Sequence, residues 1–462
     1  MDAFKMRTMR PIILLSLILV LVGCASVKTG HEWRKFQEIA RQRTDQGLLW
    51  EKSEEEAAAI RKEADELLAD GLSRQDAVRI ALLNNRMLQS TFEELGISKA
   101  DLVQAGLLSN PSLGAVFRFL ISSGSGTNVD ADLFFPISDL WQMPFRKKAA
   151  AAQMEAAIVR VAQMVVNTAA EAKHAYDATY YLDEARVETG KILDRFMAIR
   201  DQVNIRRDFG YMNDLDVYLA QIMVAEAEME IARFKGELAV ARSHLDRVLS
   251  LDPGQMGYEL QKGVIEEHLK PPALDEAIQY ALDHRLDIRM ARFKVRQAER
   301  TLQLEKARIL KHAALGVSYE RDADGADVFG PGFDLELPIF DQNQAQIARA
   351  QYGIRQARKS LQALEGKVRQ EITSDLERIN FHRVRVQTLR EKVIPFREKA
   401  IGYAERWVNA MQLNRLYLLE AQRGLLQSRR EYLQALMERQ KALVDLELHM
   451  GGKLPFCSTG SP

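Results

Sequence analysis

The chain has 462 residues, and its 64 Lys and Arg balance 64 Asp and Glu to a net charge of zero, so bulk charge holds no nucleic acid here. Aromatic residues make up only 7% and prolines number 12, a composition rich in good helix formers that predicts a mostly helical protein. Of the 2 cysteines, Cys24 lies near the start and Cys457 near the end. If Cys24 is modified, Cys457 has no partner for an intramolecular disulfide.

Lys5, Arg7 and Arg10 precede an apolar run, residues 11–22. That run is well short of the roughly 20 residues a spanning helix needs. A basic start, a short apolar core and small residues at its end predict a secretory signal over residues 1–23. Leu21-Val22-Gly23-Cys24 resembles the bacterial lipobox, in which the cysteine becomes the acylated, palmitate-bearing first residue of the mature chain. An ordinary signal peptide with a chance cysteine is the alternative. Ala25 follows Cys24, not the Asp that retains many lipoproteins at the inner membrane, so an anchor on the periplasmic face of the outer membrane is expected. Residues 24–70 read as a lipid-anchored helical segment with a charged helix over 51–68. Beyond the signal no run is expected to span a membrane as a helix, which leaves a peripheral protein or one that crosses as strands.

The rest of the chain reads as one unit used twice. Asp76–Leu88, DAVRIALLNNRML, returns as Glu276–Ile288, EAIQYALDHRLDI; DLFFPIS at 132–138 returns as DLELPIF at 334–340; MNDLDVYLAQ at 212–221 returns as LNRLYLLEAQ at 413–422. Three pairs in one order at nearly one offset predict a tandem duplication: residues 71–250, a linker over 251–273, then 274–451, with a tail over 452–462. Each copy opens with a helix, predicted as continuous over 75–107 and 274–311.

A segment of period two follows in each copy. Leu113, Ala115, Phe117, Phe119 and Ile121 alternate with Ser112, Gly114 and Arg118; after a Gly/Ser turn, Val129, Ala131, Leu133 and Phe135 alternate with Asn128, Asp130 and Asp132. In the second copy Leu315, Val317, Tyr319, Phe333, Leu335 and Leu337 oppose Ser318, Glu320, Asp334 and Glu336. This pattern predicts β-hairpins over 112–136 and 314–338, with strands long enough to cross a bilayer when tilted. The period then becomes helical. A long helix is expected over 145–208, with Ile158, Val161, Val165, Ala172, Ala175 and Leu182 at heptad spacing, returning over 213–250. The second copy is expected to run over 343–409, with a kink or break at Pro395, and to return over 414–450.

Four strands cannot close a barrel, and open edges cannot face lipid. Two chains would give eight strands with a filled interior; three would give 12 and leave a lumen. Apolar residues outward and Arg118, Asp130, Asp132, Glu320, Asp334 and Glu336 inward is what a water-filled barrel requires. Small periplasmic sheets are the alternative for these hairpins.

The ordered set of motifs resembles the TolC-like outer-membrane efflux proteins. It is carried by Ala81–Asn85, by AGLLSNPSL at 105–113, by LELPIFDQNQAQIARAQ at 335–351 and by LNRLYLLEAQR at 413–423. The resemblance implies a mainly α protein with membrane β-hairpins. It also implies a homotrimer whose strands form a 12-stranded β-barrel and whose helices form a long periplasmic α-helical barrel. The tunnel would dock on a periplasmic adaptor and an inner-membrane pump, expected to be of the RND type, and pass drugs, metal ions or proteins outward. At the helix tips the family usually carries Gly in both copies. Gly210 supplies the first, whereas Ala410 and Met411 stand in the second, followed by Asn414. Asp208, Asp214 and Asp216 flank the first tip; a threefold ring of them would repel one another and attract cations, as a gate or docking site. A solvated turn capped by Asn213 or Asp214 is the plainer reading. Trp141, Arg146, Lys147 and Lys148 read either as a membrane-interface anchor or as an ordinary helix start.

No enzyme is expected. The 8 His lack metal-ligand spacing, Gly451–Lys453 lacks the rest of a phosphate loop, and Met154, Met164, Met223 and Met229 read as core packing rather than a copper path. No cofactor, metal site or nucleic-acid partner is expected. The expected activity is a passive exit duct for small molecules. An exit duct for a protein-secretion machine and a periplasmic coiled-coil scaffold that never crosses the membrane are the rivals.

Overall fold

The computed structural model describes residues 27–119, 127–261, 272–322, 324–410, 412 and 415–453. The signal segment with Cys24, the end of the first hairpin, Met411, Asn414 and the tail with Cys457 lie outside the described residues. The chain is mostly helical with a few antiparallel strands and forms two compact units. The first holds Phe92–Val161, Arg289–Ala363 and the chain up to Phe36; the second holds Gln37–Thr91, Ala162–Ile288 and the chain from Leu364 on.

The first unit contains the strands: β1 (Ser112–Phe119), β2 (Thr127–Pro136), β3 (Ala313–Arg321) and β4 (Asp327–Leu335). They form one antiparallel sheet in the order β1-β2-β3-β4, so the two copies of the repeat meet at the β2–β3 pair. Gly325, with φ of +88°, turns the β3–β4 hairpin, a backbone conformation glycine adopts without a Cβ penalty.

The helices before the sheet are α1 (Gly30–Thr44), α2 (Glu54–Ala69), α3 (Arg74–Asn84) and α4 (Arg86–Ala105). In the first unit, Trp33 and Phe36 of α1 pack on Phe92 of α4 at ring distances of 5.2 and 5.3 Å. Ser73 starts α3 through a capping box with Asp76. The single helix expected over 75–107 is two helices, because Asn85 leaves helical geometry at φ −64°, ψ 110°. Its side chain then accepts from the Leu88 N–H at 2.9 Å, capping α4.

The long helix α5 (Asp139–Asp208) starts earlier than expected and takes in Trp141 and Pro144. Pro144 removes one bond close to the helix start. Trp141 is half-buried. Ile158, Val161, Val165, Ala172 and Ala175 of the predicted heptads are buried, and Leu182 is partly so. Contrary to expectation, α5 holds a stretch of 18 residues apolar enough to cross a membrane by length and composition; half of it is buried inside the protein, as in a core helix.

After α6 (Asp214–Leu249), a parallel bridge ties Leu260 of the linker to Leu72. The second copy repeats the break: α7 (Leu274–His284) and α8 (Leu286–Ala307) part at Arg285, with φ −63°, ψ 133°. Its long helix is α9 (Gln344–Thr388) followed by α10 (Ile394–Asn409), and α11 (Arg415–His449) returns. The regular α-helix is interrupted just before Pro395, and the chain goes on as α10 from Ile394. A π-turn over Leu389–Val393 precedes it, a wider turn that absorbs the carbonyl left without an N–H partner.

In the second unit the two breaks serve the same end by different chemistry. The Asn84 side-chain amide donates to the Leu249 and Ser250 carbonyls at 2.9 and 2.8 Å, and that of Asn85 to Val248 at 2.8 Å. These are carbonyls at the end of α6, which have no intrahelical donor. At the equivalent place Arg285 donates to the His449 carbonyl at the end of α11 (3.2 Å) while it pairs with Asp287 and Glu371, both at 2.7 Å. Replacing Asn84 by Ala leaves two half-buried carbonyls without this donor and is expected to cost about 1–3 kcal/mol; Asn84→Asp, which cannot donate, should fare no better. The thermal midpoint of the detergent-solubilised protein measures this, and an unchanged midpoint for Asn84→Ala refutes it.

Candidate functional site

The sheet has two chemically distinct faces, and strand register sorts the residues between them. Leu113, Phe117 and Phe119 of β1 share a face with Leu133 and Phe135 of β2, Leu315 and Val317 of β3, and Phe329 and Phe333 of β4. These side chains have no cover: Leu113 is 76% exposed and Phe333 79%. The far end of this face is polar, where the Tyr319 hydroxyl donates to Asp327 at 2.7 Å and Arg321 lies 3.9 Å from the same carboxylate.

The opposite face carries the sequence-predicted charges in cross-strand rows. Asp130 sits between Val116 and Glu320; Asp132 sits between Gly114 and Ser318; Asp334 is level with Ala314 and Pro136; Arg118 is level with Asn128. Arg118 pairs with Asp130, which offsets the like charge of Glu320 directly opposite. Ser318 donates to Asp132 at 2.5 Å. Glu336 departs from the expectation, since β4 ends at Leu335. Its N–H still bonds to the His312 carbonyl at 3.2 Å, so it lies at the margin of the ladder. The sequence reading missed Phe134, which shares this charged face and a row with Ser112, Gly316 and Gly332.

At the base of the sheet, Asp139 is a hub that is only 4% exposed. It accepts the Ser109 N–H at 2.5 Å and the Arg146 guanidinium at 3.2 Å. Arg146 in turn donates to the Ala105 and Leu107 carbonyls at 3.0 and 2.6 Å. One ion pair thus ties the end of α4, the entry to β1 and the start of α5. Burial alone would raise the Asp139 pKa, but the Ser109 bonds and the Arg146 charge outweigh it and hold the carboxyl below its ordinary value. Arg146 was expected to face water or headgroups; it is instead turned inward onto this hub.

At the first helix tip, α5 ends in a pair of bonds from Gly210 N–H to the Arg207 carbonyl (2.8 Å) and from Tyr211 N–H to Arg206 (2.9 Å). That motif needs a left-handed residue, and Gly210 has φ of +78°. Asn213 caps α6 in a reciprocal box with Asp216. Asp208 pairs with Arg207 at 2.8 Å, and Asp214 lies in the first turn of α6, where a negative charge is favoured. Two of the three tip aspartates therefore have local partners. Phe209, Tyr211, Leu215 and Tyr218 stand exposed around them, over a small core of Val203, Val217 and Ala220. In the second copy the C-cap residue Ala410 has φ −77°, ψ 2°, and the Gln412 N–H bonds to the Trp407 carbonyl at 2.9 Å. Tyr403, Trp407 and Tyr417 are exposed nearby. These aromatics were legible only as apolar residues where a solvated turn was expected.

Among the described residues no three His, Cys, Asp or Glu side chains gather as metal ligands. Met154 and Met223 are buried in the core, and Met229 is exposed.

Residues 277–452 match the family described as outer membrane efflux protein. The chain is 25% identical over 248 residues to the cobalt-zinc-cadmium resistance protein CzcC of Cupriavidus metallidurans; the match covers 52% of this chain and 57% of that protein, so it spans little more than half of that relative. The fold is similar to that of CusC, with a TM-score of 0.70 at 16% identity, over 82% of this chain and 92% of that one. It is likewise similar to the Neisseria gonorrhoeae outer membrane channel MtrE, with a TM-score of 0.68 at 18% identity, over 82% and 89% of the two chains.

The Asp139 hub has a pH signature. Because its folded-state pKa is depressed below the ordinary 3.8, its contribution is fully present above that value and is lost as pH falls through the folded one. Asp139→Asn is expected to cost about 2 kcal/mol at neutral pH and progressively less below about pH 4. Thermal midpoints of both proteins across a pH series check this; a gap that does not close in acid counts against it.

Proposed function

We propose that this chain is a TolC-like outer membrane efflux protein, a reading supported by the family match over residues 277–452 and by the shared fold, and that it is the passive exit duct of a tripartite efflux system in the outer membrane. The observation that carries the reading is the four-stranded sheet, whose outer strands β1 and β4 each have a single partner and whose apolar face is uncovered. Unpaired backbone in hydrocarbon costs several kcal/mol per group, so the edges must be completed by other copies. Three copies give 12 strands, the smallest number of whole copies that leaves a lumen. The apolar face then meets lipid, and the face with Arg118, Asp130, Asp132, Glu320 and Asp334 meets water.

The lumen so formed carries more carboxylates than cations and favours positively charged solutes. The name of CzcC as a cobalt-zinc-cadmium resistance protein agrees with metal ions as cargo, and drugs are the alternative. The duct has no energy source of its own; an adaptor and an inner-membrane pump, of the RND type, supply it. The exposed aromatic tips are the surface offered to the adaptor, and Asp208 and Asp214 the carboxylates offered to a gate. Cys24 carries the lipid that anchors the mature chain to the periplasmic face of the outer membrane.

Three measurements test this reading. The purified full chain should run as a heat-dissociable trimer and give single-channel currents in planar bilayers; a monomer without current refutes the duct. Asp214→Asn, which leaves the Asn213–Asp216 cap untouched, should raise resting conductance and weaken cation preference if the tip is a gate, and identical currents remove that role. Labelled palmitate should enter the native chain and not Cys24→Ser; equal labelling refutes the anchor.

A further inference from the structure

Phe134 is the one aromatic side chain on the charged face among the described strand residues, and its ring does not stand up from that face. It lies across the two neighbouring strands. A Cβ placed on Gly316 of β3 would meet the Phe134 ring at 2.7 Å (Cδ1) and 2.9 Å (Cγ), and one on Gly332 of β4 would meet it at 3.1 Å (Cζ) and 3.3 Å (Cε1). The ring therefore reaches from β2 over Gly316 to Gly332, two strands away, in the row where those three residues are in register. Gly316 would also drive a Cβ into the Leu133 carbonyl oxygen, so that position admits only glycine. At Gly332 the only obstacle is the far edge of the ring, and a side chain there has space once the ring moves.

A large apolar ring on a wall that faces water needs a reason to lie flat, and a glycine next to an aromatic across a sheet supplies one. The ring covers backbone that has no side chain of its own. The next row repeats the economy of bulk, with Gly114, Asp132, Ser318 and Gly330 in register. Only small side chains flank Asp132 there, and its bond from Ser318 holds the carboxylate against the wall.

We infer that Phe134, seated on Gly316 and Gly332, sets the free width of the outer-membrane end of the duct. The inference rests on the duct reading, since it takes the charged face as the lumen wall. In a trimer three such rings lie at one level. Flat, each adds only the thickness of a ring; displaced, each projects inward by its length. The glycine pair is thus a size-selecting device, and Phe134 is its moving part.

The test uses the full-length protein in planar bilayers, with neutral polyethylene glycols of graded size added from the barrel side. This reads the entrance width independently of the helix tips. Gly332→Val should displace the ring and lower the radius of the largest polymer admitted by about 3 Å, the gap between a ring at van der Waals thickness and one standing clear of the wall. Phe134→Ala should admit polymers at least as large as the native protein does. The double variant Phe134→Ala with Gly332→Val should return to the native limit or exceed it. A native limit for Gly332→Val, or a double variant as narrow as Gly332→Val alone, overturns the proposal; heat-dissociable trimers on gels verify that each variant has assembled. A membrane-impermeant maleimide separates this failure from that of the duct itself. In a Cys457→Ser background, Phe134→Cys should label and Leu133→Cys, on the opposite face, should not. Absence of label at residue 134 overturns the lumen assignment beneath the proposal, whereas label at 134 with an unmoved polymer limit overturns only the role of the ring.

Discussion

The backbone at the two edges of the sheet dictates most of what this protein is. A peptide group that has left water must find a partner, and β1 and β4 each have one side without a strand among the described residues. A helix solves that problem internally; a four-stranded ribbon cannot. The uncovered apolar face adds a second demand, because Leu113, Phe117, Phe119, Phe329 and Phe333 form a patch far larger than a water-exposed monomer tolerates. The proposed closure between copies would meet both demands at once, and the polar opposite face would then become an interior by default.

The duplication shows which features are required and which are only one way to meet a requirement. The carbonyls that end α6 and α11 need donors, and in one copy the amides of Asn84 and Asn85 provide them while in the other Arg285 does. The guanidinium brings a charge into a nearly closed site, and the chain offsets it with Asp287 and Glu371. The amide needs no such company. The tips diverge in the same manner. Gly210 closes the first with a left-handed residue, whereas Ala410 takes the C-cap of the second at φ −77°, ψ 2°; both tips present aromatic side chains.

The same economy governs polar groups at the base of the sheet. Asp139 and Arg146 are costly to bury singly, yet together they satisfy an amide of the β1 entry and two carbonyls at the end of α4. The pair fixes where the strands leave the helices, a position that governs the register of everything beyond it. Tip aspartates have a comparable division of labour: Asp216 belongs to the cap, Asp208 to Arg207, and Asp214 alone is left to act through its field.

Whatever has a period was legible from the amino acids alone. Strand alternation assigned Arg118, Asp130, Asp132, Glu320 and Asp334 to one face without error, because a residue's side of a pleat follows from its parity alone. Heptad spacing found the buried stripe of α5 for the same reason, and the 200-residue self-similarity exposed the duplication. The tertiary structure decided whatever depends on a contact. The splits at Asn85 and Arg285 carry no glycine or proline, so the helical pattern runs through them; the carbonyls of a distant helix end draw those side chains and bend the chain. The inward turn of Arg146 needed a buried Asp139. Phe134 lies flat because residues about 180 and 200 positions away happen to lack a Cβ, and no local pattern reports on the side chain of a strand two places across a sheet.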